Sequence, residues 1–222
     1  MFRLARSTTR ATLGITALIS LAAGQANAQH LSIAPTIGIY APTTDLVNSL
    51  INGDTVAFKQ KVGLALGGRL GLWFGRRFGI SVTGAFVPSK LQATVTQTGV
   101  QTQGQQNSDL WFGTGRVNLW LLPPTGILSV GVNGGVGVVG RGKTTIDDPS
   151  NPGSSLTDPS RTDIGGVAGA TVGVNLGGLG LFVSADDYIY NPKVFTQLGA
   201  KPTRQNDIQI SFGLGVPLGG KM

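Results

Sequence analysis

The clearest hydrophobic pattern lies near the end of the chain, in residues 207–218. Large apolar residues occupy every even position from Ile208 to Leu218, and polar residues, small residues or proline occupy the odd positions. An alternation with a period of two predicts a β-strand with two different faces. A strand of a soluble protein shows the same alternation, so this segment alone does not identify the solvent.

The same alternation recurs in earlier segments, and the connections between the segments are alternately long and short. The predicted strands are residues 31–41, 61–74, 78–87, 110–122, 127–140, 164–176, 179–190 and 207–218. Such spacing is typical of a closed antiparallel sheet with turns at one end and loops at the other. The strands also reach the ~9–11 residues that a tilted strand needs to cross a bilayer. The sequence therefore predicts an all-β fold, an eight-stranded antiparallel up-and-down transmembrane β-barrel.

The two predicted faces differ in side-chain size. One face carries large aliphatic residues, and the other carries mostly Gly, Ala, Ser, Thr and Asn. A soluble periplasmic lipocalin-like binder would turn the second face outward, and that face should then be rich in charged residues. An eight-stranded lumen is just wide enough for side chains, so small polar residues fit inside it and the aliphatic face meets lipid.

Aromatic residues cluster near the predicted strand ends, which suggests belts at two membrane interfaces. The belt near the short turns is predicted to contain Trp73, Phe78 and Trp120, with Phe74 and Phe182. The belt near the long loops is predicted to contain Tyr40, Trp111 and Tyr188, with Phe58, Phe112 and Tyr190.

The N-terminal segment has the features of a secretory signal peptide. Arg3, Arg6 and Arg10 precede an apolar run, and Ala26-Asn27-Ala28 fits the small-residue cleavage pattern. The predicted organisation is a signal peptide over residues 1–28 and one barrel domain over residues 29–222. An even number of strands would leave both mature termini on the short-turn side, in the periplasm.

The composition is poor in charged residues and argues against nucleic-acid binding. The chain has 35 Gly, no Cys and no Glu, and only 12% of its residues are charged. Its net charge of +7 includes the three signal-peptide arginines, so the mature chain carries +4. This charge is too small and too scattered to indicate nucleic-acid binding.

A few charged residues fall on the small-residue face and are predicted to lie inside the barrel. A charge in a narrow lumen must be paired or hydrated, so we expect either a structural plug or an openable gate. The predicted interior polar network consists of Arg69, Arg116, Asn118, Asn133, Asn175, Asp186 and Gln209. Asp187 would instead face lipid unless a bulge near Ala185 or a position at the headgroups relieves the cost.

No segment predicts an enzyme, a cofactor site or a metal site. Residues 137–144 match the phosphate-loop pattern G-x-x-x-x-G-K-T, but the following Asp- and Pro-rich residues do not predict the helix that such a loop needs. His30 is the single histidine, so no Cys/His ligand set can be assembled. The aspartates at positions 147, 148, 158 and 163 lack the spacing of a calcium loop.

The end of the chain resembles the C-terminal signal of small outer-membrane barrels. Residues 211–218 fit polar-x-Gly-x-x-apolar-x-apolar through Ser211, Gly213, Val216 and Leu218. With its architecture, the chain resembles the eight-stranded OmpA/OmpX/OmpW type of outer-membrane barrel over residues 29–222. Two departures are the final Gly-Gly-Lys-Met, where the family often ends in an aromatic residue, and the lack of a peptidoglycan-binding domain.

The resemblance implies a non-enzymatic integral outer-membrane protein of a Gram-negative-type cell. Its role would be structural, or would be surface interaction through four long extracellular loops with an unknown partner. Outer-membrane lipid, lipopolysaccharide and the barrel-assembly machinery are the other implied partners, and no cofactor is implied. A narrow pore or small-solute path is the alternative function.

Overall fold

The computed structural model describes residues 29–51, 54–147, 153, 155–194 and 202–218. The predicted signal peptide and residues 219–222 lie outside the described residues. No helix in this part of the chain is long and apolar enough to cross a membrane.

The described residues form strands throughout. They are β1 (Gln29–Pro42), β2 (Val47–Ile51), β3 (Asp54–Gln60), β4 (Gly63–Phe74), β5 (Phe78–Val87), β6 (Lys90–Gln97), β7 (Val100–Asn107), β8 (Leu110–Leu122), β9 (Leu128–Arg141), β10 (Thr144–Asp147), β11 (Ser155–Asp158), β12 (Arg161–Leu176), β13 (Leu179–Tyr190) and β14 (Gln205–Leu218).

Eight of these strands close into an antiparallel barrel in the order β1-β14-β13-β12-β9-β8-β5-β4. The predicted closure between the first and last strands is confirmed, because Leu31 pairs with Leu218 and Pro42 pairs with Asp207. The ladder between β1 and β14 is interrupted beside Pro35, which has no N–H to donate, while the β1–β4 ladder continues through the same residue. Closure leaves no open edge in the barrel wall.

The two faces of the barrel strands point as predicted. Outward aliphatic side chains are open to the surroundings, with exposed fractions of 64% for Val82, 69% for Val136 and 50% for Val172. Inward residues of the same strands, such as Thr83 and Thr171, are buried. The outer wall is therefore a band of aliphatic side chains around a polar interior, which contradicts the soluble alternative.

The short connections β4–β5, β8–β9 and β12–β13 lie at one end of the barrel, called the short-turn end. The β12–β13 turn consists of Gly177 and Gly178, which both have positive φ, 61° and 107°. A two-residue hairpin turn of this type matches the right-handed twist of its strands and favours glycine. Both ends of the described barrel, Gln29 and Leu218, also lie here, because they pair with Phe74 and Leu31.

The opposite end, called the long-loop end, carries structure that the sequence pattern did not predict. Strands from two separate connections form a four-stranded sheet in the order β2-β3-β6-β7, and β10 pairs with β11. The sequence pattern leaves residues 88–108 and 141–163 as long connections between predicted strands, and the structure forms β6 and β7 in the first and β10 and β11 in the second. β6 alternates Leu91, Ala93 and Val95 with polar residues, whereas the Gln-rich β7 has no such alternation. Neither pattern indicates that this hairpin pairs with strands from another connection.

Candidate functional site

A buried ionic cluster lies midway through the lumen. Arg116 Nη1 donates to Asp186 Oδ1 at 2.6 Å, and both side chains are almost fully buried. Arg69 Nη2 lies farther away, 4.0 Å from Asp186 Oδ2. The three charges come from β8, β13 and β4, so the cluster joins strands that are not adjacent in the barrel.

Arg116 uses its remaining donors on neighbouring side chains. Its Nε donates to Thr114 Oγ1 at 2.8 Å, Nη2 to Tyr188 Oη at 2.8 Å, and Nη1 to Asn133 Oδ1 at 3.3 Å. The Asn133 amide also donates to Asp186 Oδ1 at 3.3 Å. These bonds fix the guanidinium across the lumen, which is the arrangement expected of a structural plug.

The other predicted network residues do not join this cluster. The Asn118 amide donates to Ser81 Oγ at 3.0 Å, and the Gln209 amide donates to Ser211 Oγ at 2.9 Å. Asn175 lies at the short-turn end, where its amide donates to the carbonyl oxygens of Pro124 (2.5 Å) and Gly126 (2.9 Å). Asn175 therefore fixes a turn, because its position in β12 places it beside the β8–β9 connection.

An aromatic layer fills the lumen between the ionic cluster and the long-loop end. The ring centroids of Tyr40 and Phe112 are 5.6 Å apart, and those of Phe112 and Tyr188 are 4.6 Å apart. All three side chains are buried. The placement of Tyr40 and Tyr188 in an interfacial belt is thus wrong, because both alternate onto the inward face of their strands.

Trp73 and Trp120 are also inside the barrel, so their assignment to a belt is wrong as well. Their rings stack at 5.2 Å with an interplanar angle of 29°. Glycines opposite them leave the necessary room: a Cβ at Gly79 would lie 2.4 Å from Trp73, and one at Gly131 would lie 2.7 Å from Trp120. Of the eleven residues predicted for the two belts, Phe78 and Trp111 do point outward, with exposed fractions of 45% and 43%.

The outward direction of the aliphatic band decides the class of protein. An apolar band this continuous is costly in water, and a closed strand wall is one of the two backbone structures that can cross lipid. The chain is an integral membrane β-barrel. The ionic cluster lies inside this barrel wall, and the aromatic layer lies between it and the long-loop end.

A second buried polar cluster, near the long-loop end, was not predicted from the sequence. The Asp207 carboxylate accepts hydrogen bonds from the hydroxyls of Tyr40 (2.6 Å) and Tyr190 (2.7 Å). Arg141 and Asp163 are also buried. The available signal was that all of these residues fall on the inward positions of their strands.

The long-loop end of the lumen is covered. Val87 ends β5 and Leu110 begins β8 at this end, yet neither side chain has exposed surface. The cover is an apolar cluster from three connections, Leu46, Val47, Phe58, Leu91, Ala93 and Val194. Two backbone contacts join the β1–β4 connection to the β13–β14 connection: Val47 pairs with Pro202, and Thr203 N donates to Leu46 O at 2.9 Å.

The short-turn end opens into a cavity of about 640 Å³, called the vestibule. Its walls include Arg69, the Trp73–Trp120 stack, Phe182 and Arg76. The interior is therefore asymmetric, with a cover at one end and a space at the other.

Asp187 lies on the outward side of β13, as expected. Of the two alternatives for Asp187, a bulge near Ala185 is excluded, because β13 pairs with both neighbours in continuous register through this region. The Asn206 amide donates to Asp187 Oδ2 at 3.2 Å. A position at the headgroups stays a prediction.

The phosphate-loop match and the C-terminal pattern also have clear locations. Residues 137–144 run from β9 into β10, so the helix that would bind phosphate does not follow them. In β14, Ser211 is buried in the lumen, Gly213 lies under the Phe182 ring, and Leu218 is exposed. Recognition of Ser211, Gly213, Val216 and Leu218 by an assembly machinery stays a prediction.

Comparison with known proteins gives structural neighbours. No family model matches the chain, and no curated protein matches it. Neisserial surface protein A is 12% identical with a TM-score of 0.48, over 84% of this chain and 96% of that one. Ail, the attachment invasion locus protein of Yersinia pestis, solved with the heparin analogue sucrose octasulfate, is 14% identical with a TM-score of 0.44, over 85% and 99%. The translocator domain of the autotransporter NalP from Neisseria meningitidis is 13% identical with a TM-score of 0.31, over 93% and 95%.

Proposed function

We propose that this chain is a non-enzymatic protein of a Gram-negative-type outer membrane that acts at the cell surface through its long-loop end. The observation that carries the proposal is the four-stranded sheet β2-β3-β6-β7 beyond the barrel, together with the apolar cluster to which three of its strands contribute. An ordered sheet presents a fixed surface, whereas a mobile loop would lose conformational entropy on binding.

The proposed orientation places the long loops outside the cell and both mature termini in the periplasm. Short turns on the periplasmic side are the rule for bacterial barrels with an even number of strands. In this orientation the aliphatic band meets outer-membrane lipid, and lipopolysaccharide surrounds the long-loop end. Residues 211–218 would be read by the barrel-assembly machinery during insertion.

Single cysteines test the orientation, because the chain has none of its own. Gln103 in β7 and Thr125 in the β8–β9 connection are both exposed and lie at opposite ends. On intact cells, a membrane-impermeant maleimide should label Gln103→Cys, and it should label Thr125→Cys only after lysis. The reverse labelling would overturn the proposed orientation, and recovery of the protein outside the outer-membrane fraction would overturn the location.

The surface-interaction role is tested by shortening the β6–β7 hairpin. Ala93 pairs with Gly104 across this hairpin, so Asn-Gly in place of residues 94–103 would close it with a two-residue turn. Cells displaying the shortened protein should attach less than wild-type cells to plates coated with fibronectin, mucin or heparin, while the barrel keeps its heat-modifiable migration. If cells with the shortened protein and wild-type cells attached equally to every coating, the surface-interaction role would be contradicted and a structural role would be favoured.

Transport is a second candidate function, and the vestibule is the observation that favours it. Against it, the ionic cluster, the aromatic layer and the cover at the long-loop end each obstruct the lumen. Conductance measurements distinguish the two functions and are described below.

A further inference from the structure

The vestibule has the size and shape of a ligand site. Its volume of about 640 Å³ falls within the ~300–1,000 Å³ range of small-molecule pockets. It reaches from the turns at Gly75 and Thr125 inward to Arg69 and Thr171, so it is a recess in the lumen with access from the short-turn end.

The charge that lines the vestibule is positive. Arg69 and Arg76 contribute to its walls, and no aspartate is among the described residues that line it. Asp186, the nearest carboxylate described for Arg69, is already bonded to Arg116 at 2.6 Å and lies 4.0 Å from Arg69. One carboxylate thus serves two arginines, and the Nε atom of Arg69 has no hydrogen-bond partner in the described part of the chain.

Flat aromatic rings form much of the remaining wall, beside the polar side chains of Ser32, Ser129 and Asn175. Arg69 lies 5.1 Å above the centroid of the Phe182 ring, and the Trp73–Trp120 stack forms another wall. Aromatic walls beside an incompletely paired guanidinium are complementary to a molecule with a planar body and a negative group. A simple cation would be repelled by Arg69 and Arg76.

We propose that the vestibule binds a small aromatic anion, a carboxylate or sulfonate on a planar ring, with Arg69 contacting the anionic group. The ligand enters from the short-turn end, whichever side of the membrane that end faces. The site is independent of the surface role of the long-loop sheet.

Tryptophan fluorescence can test this site directly. Trp111 points outward, so Trp111→Phe leaves Trp73 and Trp120, both in the vestibule wall, as the remaining tryptophans. The full mature chain, folded in zwitterionic lipid nanodiscs, would be titrated with naphthalene-1-sulfonate and, separately, with neutral 1-naphthalenemethanol. We expect saturable quenching by the sulfonate, with the neutral alcohol binding at least about tenfold more weakly.

Arg69→Gln should weaken sulfonate binding about tenfold or more, and Arg69→Lys should restore part of the loss. Arg77→Gln is the matched control, because Arg77 lies in the same turn region as Arg76 and does not line the vestibule. Should Arg69→Gln fail to fold, as judged by heat-modifiable migration, Arg76→Gln tests the same charge dependence from an exposed turn.

Three results would overturn the proposal. They are the absence of saturation in the Trp111→Phe protein, equal affinity for the sulfonate and the neutral alcohol, and equal losses in the Arg69→Gln and Arg77→Gln proteins. Equal affinity for the two compounds would mean that the naphthalene ring binds by apolar partition alone. Equal losses in the two variants would mean that surface charge in general, and not Arg69, attracts the sulfonate.

Discussion

Asp186 is the residue on which the charge balance of the lumen depends. It is the one carboxylate that the described structure places against both Arg69 and Arg116. Removing one partner of a buried ion pair leaves an uncompensated charge, which costs far more than removing a partner at the surface.

Asp186→Asn should therefore lower the free energy of unfolding by about 3–5 kcal/mol. The matched control is Asp45→Asn, whose pair with Lys59 is 3.8 Å long and substantially exposed, so its cost should be at most about 1 kcal/mol. Urea unfolding in lipid vesicles, followed by tryptophan fluorescence, measures both. Equal costs would contradict the importance of the buried pair.

At the scale of the strands, small residues set how closely neighbouring strands and side chains can approach. A Cβ at Gly135, on the inward face of β9, would lie 2.1 Å from the backbone oxygen of Gly115 in β8. A Cβ at the adjacent Gly134, on the outward face, would come no closer than 3.8 Å to the Val167 oxygen.

Gly135→Ala should thus destabilise the barrel by about 1–3 kcal/mol, because a backbone atom must move to admit the methyl group. Gly134→Ala should change stability little, since its methyl group enters open space. The same vesicle unfolding assay compares the two proteins, and a tolerated Gly135→Ala would show that β8 and β9 can separate at no cost.

The backbone conformation of the β12–β13 turn leads to a second prediction at this scale. Gly177 has a φ of 61°, which a β-branched residue adopts at a cost of about 1–2 kcal/mol. Gly177→Val should lower stability by that amount, whereas Gly177→Asn should be tolerated because asparagine is favoured at this position of a type I′ turn. Midpoints of urea unfolding test the contrast, and equal midpoints for Val and Asn would refute it.

At the scale of the whole molecule, three successive layers of side chains block the lumen. The Arg116–Asp186 pair lies beneath the Tyr40–Phe112–Tyr188 layer, and the Leu46–Phe58–Val194 cluster covers the end. An eight-stranded barrel has little interior space beyond what such side chains fill.

We expect no unitary conductance from the wild-type protein in planar bilayers. Arg116→Ala alone should also remain silent, because the aromatic layer and the cover stay in place. Regular channel events in the wild-type protein would favour transport, and events that appear with Arg116→Ala alone would make Arg116 a gate.

For the site, the sequence predicts which side chains point into the lumen and which point outward, but it does not predict their contacts. Alternation placed Arg69, Arg116 and Asp186 inside the barrel, and they do meet. The same alternation put Trp73 and Trp120 on the inward face, but their height near a strand end suggested a belt. The direction of the side chain decides its location, whatever its position along the barrel axis, because an inward side chain cannot reach the lipid interface.

The sequence by itself determined the barrel strands, their two faces and the closure of the wall. These follow from a period-two pattern that is local, and from the requirement that no edge remain open in lipid. Tertiary structure alone decided the β2-β3-β6-β7 sheet, the turn contact of Asn175, the Asp207 cluster and the vestibule. Each of these depends on strand register and on which distant segments meet above or within the barrel, and a local pattern carries no such information.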